Sequence, residues 1–93
     1  MQAYCFRSGK DAYIISGQLV QTPHGFCGAP VERLCRLEEM AQALQSEQQA
    51  LSQQMEALRQ EGKTKSYHFK EKMGRKLAVV QVLDELKRFG VVE

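Results

Sequence analysis

The sequence lacks any apolar run approaching the roughly 20 residues that a membrane-spanning helix requires, so no such helix is expected. Its opening stretch, Met1 to Lys10, is too polar to hold the apolar centre of a secretory signal, and a cytoplasmic location is the expectation. Cysteine is scarce. Cys5, Cys27 and Cys35 are odd in number and irregularly spaced, which argues against a secreted disulfide framework and for reduced thiols. An excess of charge is missing too: a formal net charge of +2 does not argue for a polyanionic partner, so any electrostatic case rests on where the charges lie. Neither glycine nor proline occurs between Val31 and Glu61, which leaves that span free of the residues that interrupt helices.

What is present reads as one small folded domain over residues 1–93. The 43% hydrophobic and 26% charged content is that of a globular chain and not of a disordered one. A domain this short gains only a modest margin from its own buried surface, so oligomerisation would help it.

In chain order, β-branched and aromatic residues cluster at Ala3 to Arg7 and at Asp11 to Ser16. Ser8, Gly9 and Lys10 separate them, which predicts an antiparallel β-hairpin. Gly17 breaks the second run, and Gln18 to Thr22 can continue as a third strand after a bulge. Pro23, Gly25, Gly28 and Pro30 then predict a loop through residue 29. A helix follows over 30–61. Pro30 suits its first position, Glu32 suits the positive end of its dipole, and Gly62 suits the left-handed turn that ends it. About thirty residues at 1.5 Å each make a rod of roughly 45 Å.

Residues 63–69 are ambiguous: Tyr67 and Phe69 alternate with Ser66 and His68, either as a strand added to the hairpin or as the entry to a helix capped by Ser66. A helix over 70–90 carries two adjoining apolar stripes. Met73, Leu77, Val80 and Leu83 form one, and Val79, Val82, Leu86 and Phe89 the other. So wide a face predicts extensive burial. The class is α+β.

The long helix bears a heptad seam. Leu37, Leu44, Leu51 and Leu58 recur every seventh residue as one row, and Leu34, Ala41, Gln48 and Met55 form the other. Four layers of this kind predict helix-to-helix packing, with the polar Gln48 fixing register. Two claimants exist for the seam: the C-terminal helix, packed antiparallel within the chain, and a second copy in an intersubunit coiled coil. Flanking charges leave the orientation of such a dimer open, because exposed ion pairs contribute only about 0.2–1 kcal/mol each. A two-fold homodimer is the expected assembly.

Charge is segregated. Lys63, Lys65, Lys70, Lys72, Arg75 and Lys76 stand against the single acid Glu71, whereas acids outnumber bases from Val31 to Glu61. A phosphate-contacting shoulder is one reading, with Tyr67, His68 and Phe69 as stacking groups, and a solvated face is the other. Gly62, Lys63 and Thr64 do not complete a phosphate-binding loop, since Ala57 occupies the place of its first glycine and a helix precedes it. His24 and Cys27 are spaced as two metal ligands, with Cys5 and Cys35 available to complete a tetrahedral set. No second close ligand pair accompanies them, and no metal or cofactor is assigned. Cys5 is expected to pack in the hairpin, Cys27 in its loop, and Cys35 to lie off the seam.

No catalytic constellation emerges. The expectation is a non-catalytic, oligomeric protein-interaction or regulatory module that blocks or bridges a larger partner, as an inhibitor or accessory protein would. Nucleic-acid binding through residues 63–76 is the alternative.

Overall fold

The computed structural model describes residues 1–10 and 12–93. Its elements, in order, are β1 (Cys5–Ser8), β2 (Ala12–Ile15), β3 (Val20–Thr22), β4 (Gly25–Cys27), α1 (Ala29–Gln60) and α2 (Tyr67–Arg88). The α+β class expected from the sequence is the class observed. Residue 11, where the second strand was expected to begin, lies outside the described residues. Two compact units make up the chain, Met1–Glu38 and Glu39–Glu93, and α1 contributes to both. Among the described residues no helix is long and apolar enough to cross a membrane.

In the first unit, β1 and β2 pair antiparallel, with Cys5 opposite Ile15 and Ser8 opposite Ala12. The Ser16 N–H extends the ladder by donating to the Tyr4 carbonyl at 2.6 Å. Val20–Thr22 does not join this sheet as its third strand. It pairs instead with Gly25–Cys27 in a separate two-stranded sheet, Val20 opposite Cys27 and Thr22 opposite Gly25. The stretch expected to be loop therefore contains a strand. The reason is local. Pro23 presets the backbone for a tight turn, and the Thr22 hydroxyl donates to the Gly25 carbonyl at 2.9 Å while accepting the His24 N–H at 3.3 Å. The chain folds back before it can reach the first hairpin.

Gly28 leads into α1. Its φ is +138°, and a Cβ at this position would lie well inside contact distance of the Gln18 carbonyl oxygen, so the position admits only glycine. The Glu32 N–H donates to the Gly28 carbonyl at 3.0 Å, and Pro30 sits in the first helical turn, where its missing N–H leaves no bond unmade.

The second unit is a helical hairpin. At the end of α1, Gly62 has φ +74°, the Gly62 N–H donates to the Arg59 carbonyl at 3.0 Å and the Lys63 N–H to that of Leu58 at 2.8 Å. This paired pattern satisfies the last carbonyls and stops the helix. Gly90 ends α2 in the same way, with the Val91 N–H reaching the Leu86 carbonyl at 2.8 Å. Residues 63–69 resolve into a turn and the start of α2, not a strand. Ser66 is extended and its hydroxyl accepts the Phe69 N–H at 3.2 Å, so the helix begins earlier than Lys70. The alternation there is a helical one: Phe69 is buried and Tyr67 is exposed.

Leu51, Val79 and Leu83 form the core of this unit, with Leu44 and Leu86 packed against it. Lys72 donates to Gln54 at 2.7 Å and Arg75 to Glu47 at 2.6 Å, so numbers rise along α2 as they fall along α1, and the helices run antiparallel. The broad apolar face of α2 is not mostly buried, as its two stripes had suggested. Val79 has 0% exposure, but Leu77 keeps 60%, Met73 42% and Phe89 73%. One neighbouring helix covers the line where the two stripes meet, at Val79 from one and Leu83 from the other, and leaves their outer flanks exposed.

Candidate functional site

From Ala41 to Leu58 the heptad seam is occupied within the chain. Ala41, Leu51 and Met55 are buried, while Leu44, Gln48 and Leu58 are half-buried. Gln48, the polar break in the row, lies at the edge of the helix pair, where it lines a small recess with Gln45, Val80, Leu83 and Asp84. The seam residues of the first unit differ. Leu34 is exposed and Leu37 half-buried, and both line an open, largely apolar recess with Met1, Ala3, Tyr4 and Pro30. Over it, the Arg33 guanidinium stacks on the Tyr4 ring at 4.3 Å from its centroid and donates to the Gln2 carbonyl.

The hairpins carry apolar groups that sequence reasoning did not single out. Phe6 and Ile14 face each other across β1 and β2, and both are exposed. On the other side of that hairpin the Arg7 guanidinium lies over the Tyr13 ring at 4.9 Å and donates to its hydroxyl. Phe26, on β4, is exposed as well. The signal was available: apolar residues on both faces of a two-stranded ribbon exceed what a single packing partner can cover.

The basic residues do not form one patch. Lys63 pairs with Glu61 at 3.0 Å, Lys72 reaches Gln54, and Arg75 is held by Glu47. Successive even positions on a helix point to opposite sides, which sets Lys70 away from Lys72 and on the outer face of α2. Lys65 and Lys70 are exposed, and Lys76 is half-buried. Hydrogen bonding from Arg75 holds the Glu47 carboxyl below its ordinary value, and the same bond raises Arg75. Tyr67 and His68 are exposed and meet edge to face with ring centroids 6.0 Å apart.

Cys5, Cys27 and Cys35 are free thiols, all exposed. Cys5 therefore does not pack in its hairpin, nor Cys27 in a loop, as expected: both stand on strands, β1 and β4, that are exposed along their length. Among the described residues no three of the histidine, cysteine and acidic side chains come together as a metal site, so Cys5, His24, Cys27 and Cys35 are not assembled. Comparisons with protein-family models, curated proteins and solved structures find no match.

Proposed function

We propose that the protein is a non-catalytic, oligomeric interaction or regulatory module of the cytoplasm. Its helical hairpin is held by its own core, and its uncovered surfaces engage a second copy of the chain and a protein partner. The observation that supports this reading is the amount of large apolar side chain left in solvent: Met73 and Leu77 on α2, with Phe6, Tyr13, Ile14 and Phe26 on the strands. Single exposed apolar residues are ordinary, but neighbouring ones mark surfaces that other macromolecules cover. Three free thiols suit a reducing compartment. Blocking or bridging a larger protein is a task that a chain of 93 residues can perform by surface alone.

The test combines sedimentation equilibrium of the full chain with affinity capture of the tagged protein from its host, repeated with Phe6→Ser and Phe26→Ser together. The expected result is an oligomer, and a captured protein that the double variant fails to retain. A concentration-independent monomer mass with no captured partner would falsify the reading. Nucleic-acid binding by residues 63–76 draws less support, because Lys63, Lys72 and Arg75 are already engaged within the chain. Fluorescence anisotropy at low salt distinguishes it: binding that weakens steeply with added salt would favour the nucleic-acid reading over the protein partner.

A further inference from the structure

Resting on the oligomeric reading above, we propose that the outer face of α2 is where two copies of this chain meet, antiparallel and about a two-fold axis at Leu77. Helical spacing places Lys70, Met73 and Leu77 on this face, turned away from the core around Val79, with the exposed Asp84 at its margin, beside the recess that Gln45 and Gln48 also line. Leu77 is the most exposed aliphatic residue of the helix. Gly74 lies beside it in regular helical backbone, and a side chain built there would meet nothing within 4 Å. A mid-helix glycine is unfavourable relative to alanine, and nothing in the helical unit requires one. Its effect is a flat place on which a second helix can sit close.

The arrangement of charge selects the occupant. Lys70 lies two turns before Leu77 and Asp84 two turns after it. In an antiparallel pair crossing at Leu77, Lys70 faces Asp84 of the partner subunit, and two-fold symmetry repeats the pair on the far side. A parallel pair would set Lys70 against Lys70 of the partner subunit and Asp84 against Asp84 of the partner subunit. Among the described residues neither Lys70 nor Asp84 has an ion-pair partner inside the chain. Two hairpins joined in this way make a four-helix bundle, in which each α2 receives cover from two sides.

Sedimentation equilibrium of the full chain tests the proposal with Leu77→Glu, Lys70→Asp, Asp84→Lys and the double Lys70→Asp/Asp84→Lys, with helicity checked by circular dichroism. The wild type is expected to show a reversible monomer–dimer equilibrium. Leu77→Glu should weaken dimerisation by about a hundredfold or more, as loss of a central apolar anchor does. Each single charge reversal should weaken it by about tenfold, and the double should recover most of that loss. A dimer whose affinity survives Leu77→Glu overturns the placement on α2 while leaving the oligomeric reading intact, and a wild-type monomer overturns both. A double no better than its parents overturns the antiparallel register. Lys70 and Asp84 are exposed, so the charge series decides the matter even if Leu77→Glu loses helicity.

Discussion

Arg75 grips Glu47 with both arms of its guanidinium: Nε donates to one carboxylate oxygen at 2.6 Å and Nη2 to the other at 2.8 Å, across 28 residues of sequence. This two-pronged pair ties α2 to α1 along one edge of their interface, and its geometry is the kind that makes an exposed ion pair count. Because the carboxyl is held below its ordinary value of 4.5, its contribution is fully present above that value and is lost as pH falls through the lower, folded value. Glu47→Gln removes the contribution. Urea melts at pH 7 should therefore show the variant less stable than the wild type, and melts near pH 3 should show the gap narrowed. A gap of constant size across that range would contradict the assignment.

Val79 is the side chain that the helical hairpin is closed around, with 0% exposure and Leu51 and Leu83 beside it. Val79→Ala deletes buried carbon and leaves a small cavity, so a loss of about 2 kcal/mol in chemical denaturation is expected. Val82, three residues on and exposed, is the control. Its change to Ala should cost less than about 1 kcal/mol. Equal losses at both positions would mean that α2 is rotated from the orientation described.

What the sequence showed of this fold depended on whether the signal was local. Pro30, Gly62 and Gly90 punctuate the helices by their own backbone preferences, and the ends lie where those residues stand, to within a residue or so. The seam from Ala41 to Leu58 was equally visible as a row, but a row of leucines does not say which helix covers it. Only the length and antiparallel return of α2 settle that within the chain. The strand at Gly25–Cys27 reads as loop in the sequence because three residues are too few to display a period and its glycine is a loop signal. The division of the basic stretch between partners on α1 and the outer face of α2 required knowing where α2 begins. That in turn depended on Ser66 acting as a cap.

Ser66 accordingly offers a second test of the helical hairpin. Its hydroxyl accepts the Phe69 N–H at 3.2 Å and donates to the Lys63 carbonyl at 2.7 Å, fixing both the first turn of α2 and the turn before it. Ser66→Ala should lower stability by about 1 kcal/mol, and Ser66→Asp, which keeps an acceptor and adds favourable charge at the helix start, should retain most of it. Thermal melts followed at a helical wavelength check both. An alanine variant as stable as the wild type would show that the cap is dispensable.

The last prediction concerns the entry to α1 in the first unit. Gly25 and Gly28 have nearly the same φ, +134° and +138°, so alanine is strained at either. They differ in what a side chain would meet: open space at Gly25, and at Gly28 the carbonyl of Gln18. The difference between Gly25→Ala and Gly28→Ala thus separates the clash from the backbone strain common to both. Gly28→Ala should be the more damaging by about 1 kcal/mol or more, since a backbone carbonyl cannot swing aside as a side-chain tip can. Amide hydrogen exchange across the β3–β4 ladder reports it directly, with protection reduced in Gly25→Ala and lost in Gly28→Ala. Equal protection in the two variants would mean that the segment from Gln18 to Leu19 does not approach Gly28 as closely as described.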